Sequence, residues 1–220
     1  MGENTMIFII RHGESVGNLH KICLGHTDLG LTDRGREQAA STANALKDVN
    51  FEAIYSSDLI RAIETARPHV VLRGLDTGSI IGTAGLRELY FGDWENGAVE
   101  DLKRNYGDMF TVGWRQNFGT FTPPNGESVV DCAERIEKTL KILAKRHPGG
   151  NILVVTHAAS IRALWGKISG LEPSLWCDAV QFPSNASYST VRYEIADDKL
   201  VPIDYSCDGH LAELKTALPG

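Results

Sequence analysis

Disulfide and metal frameworks are the first things missing from this 220-residue chain. Its four cysteines, Cys23, Cys132, Cys177 and Cys207, lie far apart without a C-x-x-C pair, and there is no H-E-x-x-H motif or Cys/His cluster. A chain of this length can rely on a hydrophobic core, so the cysteines are expected as free thiols, and no metal or other cofactor is expected. Long apolar runs are missing as well. The run at residues 6–10 is too short for a signal-peptide core or a membrane span and follows no basic leader, which predicts a cytoplasmic protein with no membrane partner. An excess of positive charge is also absent: 22 Lys and Arg stand against 28 Asp and Glu, a net charge of -6. That balance lacks the basic footprint a nucleic-acid backbone demands, so no nucleic-acid partner is expected and an anionic ligand must be caught by a local positive pocket.

What remains is the composition of an ordinary globular protein, 42% hydrophobic and 23% charged, and a length that suits one α/β domain over residues 1–220. MIFII, residues 6–10, and ILVV, residues 152–155, are short continuous apolar runs of the kind found in strands buried on both faces. AIY at 53–55 reads as a third strand and 79–81 as a weaker one. Helices are predicted after Thr32, which can cap one, from about 58 to 67 with Pro68 as a break or kink, over 126–147, and from Ala158 onward. Residues 188–195 alternate, turn at Asp197-Asp198 and return through Pro202, which marks a sheet edge. Between 86 and 126 the pattern loosens into six glycines and a cluster of aromatics that includes Trp94, Trp114 and Phe121, predicting an inserted flap with its own small core or a lid. The order of elements predicts a three-layer α/β/α sandwich with a mostly parallel central sheet, one antiparallel edge strand and this inserted helical flap.

Three strand ends carry reactive side chains: Arg11-His12 after MIFII, Ser56 to Arg61 after AIY, and Thr156-His157 after ILVV. In open α/β sheets, ligands bind beyond the carboxyl ends of the strands, so these groups can converge there. Two guanidiniums, two imidazoles and the free N–H groups opening the helix at Ala158 would form an anion-selective cup suited to phosphate. Gly13 is expected to let the backbone approach that anion.

Five ordered blocks, RHGE at 11–14, LTDRGREQA at 31–39, SSDLIRAIETA at 56–66, LRELYFGDWE at 86–95 and VVTHA at 154–158, resemble the phosphoglycerate-mutase-like branch of the histidine phosphatase superfamily. The resemblance implies His12 as the nucleophile that becomes phosphohistidine and Glu88 as the proton donor to the leaving oxygen. It implies Arg11, Arg61 and His157 as ligands of the phosphoryl oxygens, with Asn18 lining the same pocket. Thr27, in the CLGHTDLGL loop, is a possible substrate contact or part of a simple turn. Physical chemistry agrees with these roles. A neutral imidazole is a competent nucleophile near pH 7, and fixed cations can stabilise the charge spread over a transferring phosphoryl group.

Mutases similar to this chain carry tryptophan where Gly17 stands and E-R-H-Y-G where residues 88–92 read ELYFG, so the resemblance favours a metal-independent phosphatase. A phosphoglycerate-mutase-type transferase is the alternative, and a non-catalytic phospholigand-binding protein the third. Asn96-Gly97 departs from the single glycine usual after that W-E, which bears on the flap. The implied partner is a small phosphorylated metabolite, acting on a monomer or homodimer. Similar sites serve sugar phosphates, phosphoglycerate, α-ribazole phosphate and phosphoproteins, and the flap is where they are told apart.

Overall fold

In the computed structural model, which describes residues 4–216, the first apolar run forms β1 (Thr5–Arg11). Its side chains divide by parity: Ile7 and Ile9 enter one hydrophobic core, while Ile10 enters another with Phe8 packed beside it. β4 (Asn151–Thr156) divides in the same way, Ile152 and Val154 to one side, Leu153 and Val155 to the other. Successive strand residues point to opposite faces, so apolar residues in both phases require cover on both sides.

β1 pairs in parallel with β4, β4 with β2 (Ala53–Ser57), and β2 with β3 (Ile81–Thr83). On its other side β1 pairs antiparallel with β5 (Tyr188–Glu194), which pairs antiparallel with β6 (Lys199–Cys207). The order is β3-β2-β4-β1-β5-β6. β5 is the one reversed strand, and β6, whose Pro202 stands opposite Val191, forms the edge, where a missing N–H costs least.

Helices cover both faces. α1 (Val16–Leu19) is a single turn after β1, and α2 (Asp33–Ala45) starts where Thr32 Oγ1 accepts from the Gly35 N–H at 3.0 Å. α3 (Ile60–Val71) puts Ala62, Ala66 and Val70 into the core that holds Ile10. It runs through Pro68 instead of stopping there, because Val70 and His69 are fully buried and that packing outweighs a lost helical hydrogen bond. The expected strand at 79–81 begins only at Ile81, since Asp76 caps a 3-10 turn at Thr77–Ser79.

The opposite face carries α5 (Val129–Ala144) and α6 (Ala158–Ile168), preceded and followed by the shorter α4 (Val99–Tyr106) and α7 (Trp176–Ala179). α5 buries Val129, Cys132, Ile136, Leu140 and Leu143 along one stripe, and full burial of each such aliphatic side chain is worth roughly 1.5–3 kcal/mol. Residues 86–126 hold α4, a π-helical turn at Met109–Trp114 and short 3-10 turns. Trp94 stacks on Phe121 at 5.2 Å and meets Phe110 edge-on at 4.9 Å; Trp114 meets Phe91 at 5.0 Å and Phe118 at 5.1 Å. These aromatics join the core beneath α5 and α6 instead of forming a separate one. No helix among the described residues is long and apolar enough to cross a membrane.

Candidate active site

Strand register brings the predicted residues together. Arg11 stands opposite Thr156 in the parallel β1–β4 pair, and the His12 N–H donates to the Thr156 carbonyl at 3.0 Å, so His12 and His157 leave the sheet side by side. Their rings meet edge to face, with centroids 5.2 Å apart. One strand further out, Ser56 pairs with Val155, and α3 rises just beyond with Arg61 in its first turn. Arg11, His12, Arg61 and His157 are all at most 4% exposed.

Hydrogen bonding assigns the His12 tautomer. Nδ1 lies 2.7 Å from the Gly13 carbonyl oxygen, which can only accept, so Nδ1 carries the hydrogen and Nε2 keeps its lone pair. Burial, with Arg61 and Arg11 beside it, holds the His12 pKa well below the ordinary imidazole value and keeps the ring neutral. His157, the N-terminal cap residue of α6, is also held well below, by burial and then by Arg61 and His12. Neither ring nitrogen of His157 has a hydrogen-bond partner among the described residues, and the same holds for Nε of Arg11. Buried polar groups are usually hydrogen-bonded; both ring nitrogens of His69, Nε1 of Trp94 and Oγ of Ser56 are the others without partners among the described residues.

Both arginines are aimed by main-chain carbonyls. Arg11 donates to Pro183 O at 2.6 Å, while Arg61 donates to Thr27 O at 2.9 Å and Gly25 O at 2.7 Å. Burial lowers the pKa of Arg11 to about 10 against the opposing pull of Glu88, so it is charged at neutral pH.

Glu88 sits where the anion-binding end of α6 was expected to be open. Its Oε1 accepts from the N–H groups of Ser160 and Leu89, both at 3.0 Å, and its Oε2 accepts from the Ala159 N–H at 3.2 Å. The N–H groups of Ala159 and Ser160 therefore hold the Glu88 carboxyl group, and Arg11 and Arg61 bring positive charge to the strand ends. The structure gives Gly13 a reason of its own: a Cβ there would run into the Gly35 carbonyl, so the close approach of α2 requires a glycine.

Asn18 has two tasks. Its backbone N–H donates to Ser15 Oγ at 3.2 Å, closing a cap on α1, and its Oδ1 accepts from the Ser15 N–H and from Asn185 Nδ2, both at 3.1 Å. Asn185 Nδ2 also reaches the His12 carbonyl at 3.2 Å, which ties Asn18 to the end of β1. Thr27 meets Arg61 through its carbonyl, and its hydroxyl lies 3.4 Å from Glu95 Oε2.

Three supporting residues were not singled out from sequence. Arg135 of α5 binds Glu127 and donates to the carbonyls of Gly85, Arg87 and Glu88, fixing the backbone that carries Glu88. Asn185 and Glu95 are the others. Only Glu95 lay in a recognised block; Arg135 reads as an ordinary polar position of an amphipathic helix, and Asn185 falls in a stretch without pattern. No group of three or more His, Cys, Asp or Glu able to hold a metal occurs among the described residues.

Comparison with known proteins shows the family. The chain is 29% identical over 208 residues to the uncharacterized phosphatase PhoE of Bacillus subtilis, covering 94% of this chain and 97% of that one. It is 31% identical to a 2,3-bisphosphoglycerate-dependent phosphoglycerate mutase of Bartonella tribocorum, over 75% of this chain and 82% of the relative. Its fold superposes on a mycobacterial glucosyl-3-phosphoglycerate phosphatase solved with VO3, with a TM-score of 0.82 and 26% identity, over 92% of this chain and 99% of that one. Residues 7–203 match one family throughout, and the chain belongs to the histidine phosphatase superfamily (branch 1).

Proposed function

We propose that this protein is a metal-independent phosphatase that hydrolyses a small phosphate monoester through a phosphoryl group carried on His12. The observation that carries the reading is the His12 ring itself: neutral, pinned through Nδ1 to Gly13 O, with Nε2 free as a nucleophile and Arg11 and Arg61 at its side. In the first step the Nε2 lone pair forms the N–P bond while the bond from phosphorus to the ester oxygen breaks. A proton passes from Glu88 to that oxygen, and the alcohol leaves. In the second step water attacks phosphorus, Glu88 takes its proton, the N–P bond breaks, and the imidazole returns to its starting state. Arg11, Arg61 and His157 face the phosphoryl oxygens, where charge is spread in the transition state.

Release of the group to water rather than to a second hydroxyl is supported by ELYFGDWE at 88–95, by Gly17, and by similarity along nearly the whole chain to a phosphatase. Identity to a phosphoglycerate mutase keeps mutase transfer as the second reading. Four free cysteines support a cytoplasmic setting, and the continuity of the aromatic cluster with the main core supports one domain with an insertion at 86–126. The test is turnover of the purified protein with EDTA against a panel of monoesters that includes 3-phosphoglycerate and glucosyl-3-phosphoglycerate. Hydrolysis unaffected by EDTA and lost in His12→Ala is expected; interconversion of phosphoglycerates faster than hydrolysis would establish the mutase.

A further inference from the structure

We infer that Glu95 is a positioning residue that aims Arg61 at the phosphoryl group by holding the loop at 25–27. The inference rests on the reading of the His12 site given above. Glu95 is half-buried, and Oε1 accepts from the backbone N–H of His26 at 2.8 Å and of Phe91 at 3.3 Å, while Oε2 lies 3.4 Å from the Thr27 hydroxyl. Gly25 makes room for it: a Cβ there would collide with Oε1, and its φ of 53° is one a side chain rarely adopts. The loop's other polar groups face the opposite way, with the Gly25 and Thr27 carbonyls accepting from the two terminal nitrogens of Arg61 at 2.7 and 2.9 Å. The loop is therefore a three-residue relay, gripped by a carboxylate on its N–H side and gripping a guanidinium with its carbonyls.

The same carboxylate reaches the leaving-group end. The ring of His26 is bonded through Nε2 to the Glu88 carbonyl at 2.9 Å, so Glu95 fixes one residue that touches the backbone of Glu88 and, through the Phe91 N–H, the chain just beyond it. Its hydrogen bonds lead toward Arg61 and Glu88 and not directly to the His12 ring. Residues that support a catalytic group in this way set its position to a fraction of an ångström, and a displacement of about 1 Å can cost on the order of 100-fold in rate.

The experiment uses the full chain with p-nitrophenyl phosphate as substrate and orthovanadate as the binding probe. Glu95→Ala should lower kcat/KM by about 10- to 100-fold and weaken orthovanadate binding measured by calorimetry. Glu95→Gln, which keeps an acceptor oxygen but no charge, should stay within about threefold of the parent. In an Arg61→Ala background, the orthovanadate penalty from Glu95→Ala should shrink to less than about twofold, because two groups acting in one chain are not additive. If Glu95→Ala does not fold, Glu95→Asp keeps the charge, withdraws the oxygens by one methylene and should show the same loss. Parent-like Glu95→Ala or Glu95→Asp, Glu95→Gln as poor as Glu95→Ala, or an orthovanadate penalty undiminished without Arg61 each overturns the inference. A parent protein that neither turns over the ester nor binds orthovanadate overturns the underlying site reading instead, and this inference with it.

Discussion

The two ends of the site are built by different means. At the proposed phosphoryl end, parallel pairing of β1 with β4 sets His12 and His157 side by side, and β2 delivers α3 and Arg61 one strand away. At the end proposed for the leaving group no strand carries Glu88: the N–H groups of Ala159 and Ser160, Arg135 and the Trp94 cluster hold residues 86–126 in place. Ladder register leaves little freedom, because a slip of one residue turns every side chain to the other face. Packed turns can be rebuilt without disturbing the sheet, which suits the ester selectivity proposed for this region.

That contrast can be broken in order of expected effect. Trp94, completely buried, anchors the 86–126 segment, and Trp94→Ala should cost about 3–5 kcal/mol of unfolding free energy in urea titrations. Arg61→Ala should lower kcat/KM on the order of 10² to 10³, by the same factor for every ester tested, since the proposed role of Arg61 is toward the common phosphoryl group alone. Tyr90, 41% exposed and tilted over His26 at 5.1 Å, belongs to the other end: Tyr90→Ala should re-rank esters by about tenfold or less while leaving orthovanadate affinity unchanged. A uniform loss from Tyr90→Ala, or a selective one from Arg61→Ala, would erase the division.

The smallest expected effect is a flat line. Because burial and the arginines hold His12 well below the ordinary imidazole value of 6.5, lowering the pH through 6.5 leaves the nucleophile unprotonated. After correction for the second ionisation of the substrate, kcat/KM should show no acid limb centred there. A solvated imidazole would give one.

Legibility in the sequence follows the same division. Apolar runs in both phases at 6–10 and 152–155 are enough to name the two central strands, and the residues that end them are Arg11, His12 and His157. Thr32 and the α5 stripe are equally plain, since caps and helical spacing are local signals. The contact of Gly13 with Gly35 is not legible, because Gly35 is its neighbour only in the folded chain. The open end of α6 was misjudged for a similar cause: nothing local says that Glu88 folds onto Ala159 and Ser160. Arg135, Asn185 and Glu95 act through backbone groups of distant segments, and periodicity contains no record of such bonds.

The covalent step is the centre of the account, and it is tested most directly by trapping. The protein is mixed with a radiolabelled monoester for milliseconds, quenched in alkali, digested and mapped. An acid-labile, alkali-stable phosphoryl group on the peptide carrying His12, absent from His12→Ala, is the expected result. Turnover with no label on His12 at any quench time, or label that persists in His12→Ala, would contradict it.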